Sequence, residues 1–215
     1  MIVVKVGGSL YHHPRLGPGL REYLGTLAPS SVLIVPGGGE FADAVRKLDV
    51  IHGLGEERAH WLALTSLWAA AAFLRILLPG SECESHPDAA RFDSLPLGSI
   101  RILDSHRFCQ FHDYAPNPLP HSWEVTSDSI ASRAAIVYGA TRLILLKSVD
   151  VPPNTSWSHA VEQGWVDRHF PHLAVDLRIP VEVINFRRWL DEYTVPSPAS
   201  LGASSTGHID PVERS

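Results

Sequence analysis

Two short β-branched runs, each ending in consecutive glycines, constrain the fold of this chain more than any other feature. Ile2 to Val6 runs into Gly7-Gly8, and Ser31 to Val35 runs through Pro36 into Gly37-Gly38-Gly39. Such runs read as strands closed by turns. Between them Gly19 to Leu27 suits a helix, and after the second turn Phe41, Ala44, Val45 and Leu48 give Glu40 to Leu48 one apolar helical face. Strand, turn and helix in repeated order argue for parallel strands joined by helical crossovers, with both glycine turns at the carboxyl edge of one sheet. The expected class is α/β, with an open, mainly parallel sheet sandwiched between helices.

The rest of the chain continues this pattern less regularly. Glu56 to Leu78 reads as a long, Ala-rich and mostly buried helix stopped by Pro79-Gly80. Its stretch from Trp61 approaches the length of a membrane span, but it contains Thr65, Ser66 and Arg75 and has no second span, so a core helix is expected and no membrane partner. Ser81 to Leu97 reads as a loop, Ile100 to Leu103 and Arg107 to Phe111 as strands, and the proline-rich Ala115 to Pro120 as a rigid connector. Ser127 is the expected N-cap of a helix reaching about Tyr138, where Gly139 ends it before an apolar strand at Leu143 to Leu146. Val181 to Ile184 follows as a strand and Phe186 to Tyr193 as a helix.

With 215 residues and 45% hydrophobic content, the expectation is one domain over residues 1–193 and a loose, Ser- and Pro-rich tail over 194–215. Eighteen basic against 23 acidic residues argue against a nucleic acid partner or an anionic membrane surface. Cys83 and Cys109 are too few for a disulfide framework, and MIVVKVGGSL lacks the apolar core of a signal peptide, so the expected location is cytoplasmic. The histidines are scattered without HExxH or paired CxxC spacing, and no residue is assigned to a metal.

Candidate chemistry collects at the strand ends. In Lys5-Val6-Gly7-Gly8-Ser9 the glycines can turn backbone N–H groups toward a phosphate, and Lys5 adds a compact charge. The lysine precedes the glycines, so this is neither a Walker A loop nor a GxGxxG fingerprint. A third glycine in Gly37-Gly38-Gly39 exceeds what a plain turn needs and suggests close backbone approach to a ligand at a helix start. Lysine occurs only at positions 5, 47 and 147, arginine supplying the other fifteen basic residues. Lys5 and Lys147 both stand at strand ends, where a mobile ammonium suits a migrating phosphoryl group, whereas Lys47 fits a solvated helix face. Asp128, in a first helical turn, is either a structural charge or an acid placed between the two lysines. Asp150 ends Lys147-Ser148-Val149-Asp150 either as a turn residue or as a nucleotide contact.

Four blocks, VVKVGGSL at Val3 to Leu10, VPGGGEFADAVR at Val35 to Arg46, TSDSIASR at Thr126 to Arg133 and LILLKSVD at Leu143 to Asp150, resemble in order and spacing those of the amino acid kinase family. That family includes aspartate, acetylglutamate, uridylate and isopentenyl phosphate kinases. His60 and LPHSWEVTSDSIA at Leu119 to Ala131 look most like its small kinases of methanofuran biosynthesis, which convert an aminomethylfuran-methyl phosphate to its diphosphate. The resemblance covers residues 1 to 150 well and the remainder poorly.

The resemblance implies a three-layer α/β/α enzyme with an acceptor half at about 1–125 and a nucleotide half at about 126–193. It implies Lys5, Asp128 and Lys147 as catalytic residues, with Asp128 orienting the lysines. Lys5, Gly7, Gly8, Ser9, Lys147, Ser148 and Asp150 would bind ATP or its phosphates, with Mg2+ held mainly through those phosphates. Gly37, Gly38 and Gly39 would bind the acceptor, and Trp123, Thr126 and Ser127 are further candidates for it. A homodimer or higher homo-oligomer is also implied. Other acceptors, such as a nucleoside monophosphate, or a non-catalytic regulatory role, are the competing readings. Many members have glycine after the aspartate matching Asp150, where this chain has Val151-Pro152-Pro153, and a further lysine downstream, where it has none. Either Lys147 or Arg168 supplies the second cation of a shortened nucleotide half, or nucleotide binding is weaker.

Overall fold

A computed structural model describes residues 1–85 and 96–193. Strand β1 (Ile2–Val6) is buried at all five positions, as a strand covered on both faces must be, and it lies between β2 (Val32–Pro36) and β5 (Arg142–Lys147). Strands β3 (Glu82–Glu84), β4 (Ile100–Leu103) and β6 (Val181–Asn185) complete the order β3-β4-β2-β1-β5-β6, with every neighbouring pair parallel.

Helices α1 (Leu16–Gly25), α2 (Gly39–His52), α3 (Glu56–Leu77), α4 (Ser105–His112), α5 (Ser127–Val137), α6 (Trp157–Glu162), α7 (Phe170–Ala174) and α8 (Phe186–Glu192) cover the two faces. The two-residue period of the strands sorts the core into layers. Ile2, Val4, Val6, Ile144 and Leu146 pack with Leu16, Leu20 and Leu24 of α1 and Phe186 and Leu190 of α8. Val3, Val35, Leu143 and Leu145 pack with Ile130, Ala131 and Ala134 of α5 and with Phe170 of α7. The architecture is three-layered α/β/α. By the same alternation Lys5 falls on the face of Val3, under α5. The chain leaves β1 toward β2 on one side and β5 toward β6 on the other. The carboxyl ends of β1 and β5 therefore flank the switch point of the sheet, where open α/β sheets bind ligands.

Several expectations change. Arg107 to Phe111, read as a strand, lies in α4, because the Asp104 carboxylate accepts from Arg107 N–H and caps a helix there. The expected loop from Ser81 contains β3, whose pairing with β4 outweighs its polar composition; the part over 86–95, like the tail over 194–215, lies outside the described residues. In α2 only Val45 of the expected apolar face is buried, and Leu48 is exposed. Helix α3 has the length and composition to cross a membrane. It packs Leu64 and Leu67 into one core layer and Ala71 and Leu74 into the other, yet Leu62, Trp68 and Ile76 face outward, so about a third of its apolar window, rather than most of it, is buried (33%). Short α6 and α7 and the 3-10 turn at Gly8–Leu10 escaped the sequence patterns.

Candidate active site

Three charged side chains meet beneath α5. Lys5, near the end of β1, and Lys147, the last residue of β5, both donate to Asp128 in the first turn of α5. Lys5 Nζ stands 2.9 Å from Asp128 Oδ1, and Lys147 Nζ stands 2.8 and 2.7 Å from Oδ1 and Oδ2. All three side chains are at least nine-tenths buried or close to it, at 7, 11 and 5% exposure for Lys5, Lys147 and Asp128. Burial by itself would raise the pKa of Asp128, but the two ammonium groups outweigh it and hold the carboxyl below its usual range. Burial first, and the charge of Lys5 second, lower Lys147 to about 8 against the pull of Asp128. With both lysines protonated the cluster carries one surplus positive charge, suited to a polyanion.

The carboxylate is aimed from a distance. Thr126 is the N-cap residue of α5 but makes no side-chain cap bond. Asp167 takes that role, accepting from Thr126 N–H at 2.9 Å, Thr126 Oγ1 at 2.8 Å, Ser129 N–H at 2.9 Å and Phe170 N–H at 2.8 Å. These bonds fix the turn that carries Asp128. Nothing in the local sequence around position 128 announces a partner 39 residues downstream.

The two glycine turns pack backbone against backbone. A Cβ on Gly8 would stand 2.1 Å from Gly39 N, and Gly39 has a φ of +51°, so both positions exclude other residues. The third glycine is therefore required by the neighbouring turn and not, as the sequence suggested, only by a ligand. Gly7 N–H donates to Leu146 O at 2.9 Å and Gly37 N–H to Val6 O at 2.8 Å, while Gly37 O accepts from Tyr11 OH at 2.7 Å. Those two donors hold the sheet together and are not free for a phosphate. Gly38 and Gly39 open the 14-residue α2, whose first-turn N–H groups have no partner within the helix.

A cavity of about 210 Å³ adjoins this centre. Lys5, Gly8, Gly38 and Gly39 line it beside Trp123, Thr126 and Ser127, bringing together most of the expected acceptor residues; Gly37 is not among the lining residues. Asp128 and Lys147 are not among its lining residues. Leu64, Leu67, Val125 and Ile130 form apolar wall, and Asp43, Arg46 and His60 were not singled out as acceptor residues from sequence. Gly39, Ala42, Asp43 and Arg46 follow the i, i+3, i+4, i+7 spacing of one helical face, a signal the sequence did hold. Arg46 lies 4.6 Å over the Trp123 ring, and Trp123 Nε1 donates to Asp49 Oδ2 at 2.8 Å. His60 stacks on His121, and burial above all lowers its pKa to about 4, so its imidazole is neutral.

On the β5 side the polar groups are exposed. Ser9 Oγ and Ser148 Oγ are 2.8 Å apart, bridging the ends of β1 and β5. Arg187 of α8 donates to Ser9 O at 3.1 Å, and Arg188 pairs with Asp150 at 2.5 Å. Arg168 instead faces Glu124 at 3.5 Å, both exposed, and among the described residues makes no contact with the lysine pair. The guanidinium groups at this edge thus come from α8.

No family model matches the chain. It is 28% identical over 157 residues to the [5-(aminomethyl)furan-3-yl]methyl phosphate kinase of Methanocaldococcus jannaschii, covering 70% of this chain and 67% of that enzyme. Its fold is similar to that of uridylate kinase from Archaeoglobus fulgidus, with a TM-score of 0.60 and 16% identity over 90% of this chain and 97% of that one. It is also similar to UMP kinase from Bacillus anthracis, at 0.58 and 16% over 93% and 89%. Uridylate kinases are amino acid kinases in fold, and this chain accordingly resembles the amino acid kinase family in both sequence and architecture.

Proposed function

We propose that this protein is an ATP-dependent small-molecule kinase whose acceptor is a small phosphate monoester, in first place the [5-(aminomethyl)furan-3-yl]methyl phosphate of the Methanocaldococcus jannaschii enzyme's name. The observation that carries it is the pair of ammonium groups held by one buried carboxylate at the ends of two adjacent central strands, beside a cavity. An acceptor phosphate oxygen attacks the γ-phosphorus of ATP as the bond to the leaving β-phosphate oxygen breaks. Lys5 faces the transferring group from the cavity, Lys147 faces it from the β5 side, and Asp128 holds the two side by side and aimed. Gly8, Gly38 and Gly39 let the acceptor phosphate approach the backbone. Catalysis is alignment and charge neutralisation, with no covalent enzyme intermediate.

Ser9, Ser148 and Asp150 are the proposed nucleotide contacts. The described residues include no group of three or more His, Cys, Asp or Glu side chains able to hold a metal. A magnesium ion carried mainly by the nucleotide's own phosphates would neutralise charge between them.

Cavity size favours a single-ring acceptor. About 210 Å³ falls under the roughly 300 Å³ at which sites for drug-sized ligands begin, a poor fit for a nucleoside monophosphate. Incubation with Mg-ATP and a panel holding the aminomethylfuran phosphate, UMP and other monoesters tests the proposal. ADP formation is expected with the furan phosphate and little or none with UMP. Nucleotide binding without ADP formation on any acceptor would turn the reading to a regulatory module.

A further inference from the structure

We infer that Asp43 recognises a primary ammonium group on the acceptor, so that the cavity selects a zwitterion with its phosphate at Lys5 and its amine about one helical turn along α2. The inference deepens the proposed kinase reading and rests on it for which end of the cavity the reacting phosphate occupies.

The cavity has a charge order set by one helix face. Gly39 lies at the start of α2 beside Gly8, and Asp43 follows one turn on, about 6 Å along the axis at 1.5 Å per residue. Lys5 supplies positive charge near the first point, and Asp43 supplies negative charge at the second. The same lining holds small or apolar surface from Ala42, Leu64, Leu67 and Val125. A flat, uncharged body with an anion at one end and a cation at the other matches that sequence of surfaces.

Arg46 does not cancel this role. Its guanidinium is fixed over Trp123, itself tied to Asp49, and meets Asp43 Oδ1 at 3.0 Å. A carboxylate has about four acceptor sites, so Asp43 serves the arginine and an incoming ammonium together. The pair is about half exposed, where such contacts are weak, and it positions the carboxylate without saturating it.

The test is a two-by-two comparison. Wild type and Asp43→Asn are assayed with the aminomethylfuran phosphate and with its analogue carrying hydroxyl in place of the amine. For wild type, kcat/KM is expected to favour the amine by about 10- to 100-fold, the range of a hydrogen bond to a charged group. Asp43→Asn should abolish that preference by lowering the amine acceptor alone, with KM for ATP unchanged. Equal losses on both acceptors, or a preference that survives the substitution, would overturn the inference. Calorimetric binding of the same two compounds without ATP separates it from the kinase reading. An amine preference in binding that vanishes in Asp43→Asn, without turnover, sinks only the kinase reading; wild type that binds neither compound, or both equally, sinks the inference.

Discussion

The two sides of β1 handle charge differently. Toward β2, charged groups sit in or beside a partly open cavity, with Lys5 and Asp128 almost wholly buried. Toward β6 they lie in the open, where Arg188 and Asp150 are each more than half exposed and the serine bridge is at the surface. A buried charge acts strongly and has to be compensated wherever it is placed, whereas an exposed one is screened and costs little to move. The difference implies that the β2 side is organised before any ligand arrives, and that the β6 side takes its final form around one.

If that contrast is right, substitutions in the buried cluster dominate. Lys5→Ala is expected to lower kcat by about a thousandfold or more while the fold survives, since Lys147 still compensates Asp128. Circular dichroism and steady-state kinetics on the same preparation check both halves; near-normal turnover would remove the charge role. Asp128→Ala leaves two ammonium groups without their carboxylate and should lower unfolding free energy by about 3–5 kcal/mol in urea titrations at neutral pH. A loss under about 1 kcal/mol would mean that the cluster is wetter than its burial suggests.

Asp167→Ala tests whether the distant cap belongs to the same organised side. Removing the shared acceptor of the first turn of α5 should cost about 2 kcal/mol. It should also reduce kcat more than it raises KM for ATP, because Asp128 loses its aim. Stability lost with kcat intact would assign Asp167 to folding alone.

Lys147 links the two sides and gives a pH signature. Its folded pKa of about 8 lies below the ordinary 10.5, so between those values the unfolded chain holds the extra proton. Lys147 thus costs stability below about pH 8, and the cost fades as pH rises toward 10.5. Activity follows the opposite course, because the ammonium is lost: kcat/KM for ATP should fall about tenfold per pH unit above about 8. Lys147→Arg keeps its charge and should move that fall to higher pH. A flat wild-type profile through this range would separate Lys147 from phosphate binding.

The same contrast explains what the sequence disclosed. Strands β1, β2 and β5 are short apolar runs bounded by glycine or a cap, so their local pattern and their tertiary role agree, and Lys5, Asp128 and Lys147 stood out at their ends. Arg107 to Phe111 misled because an aromatic-rich run says strand, while one cap from Asp104 says helix. Gly7 looked like a free phosphate donor, and Gly37 like a backbone open to the acceptor, because a sequence cannot show that Leu146 and Val6 already accept from them. Asp167, Arg187 and Arg188 are brought in by tertiary folding from distant segments, where neither periodicity nor spacing marks them. Asp43 and Arg46 were legible in principle, on the face of α2 that starts at Gly39, but the apolar residues of that helix drew attention to its other positions.

The smallest expected effect probes the open side itself. Asp150 pairs with Arg188 across a solvent-exposed gap, where double-mutant cycles on such pairs give below about 1 kcal/mol. Asp150→Asn should therefore move unfolding free energy by less than that. The informative readout is KM for ATP. If Asp150 only anchors α8, KM stays at the wild-type value along with stability. If it contacts bound nucleotide, KM rises about fivefold while kcat for the acceptor step and KM for the acceptor hold, an increment of about 1 kcal/mol of binding. A loss of more than about 2 kcal/mol in stability would break the contrast, since it would show Arg188 and Asp150 acting as a compensated buried pair and the β6 side as organised in advance as the β2 side.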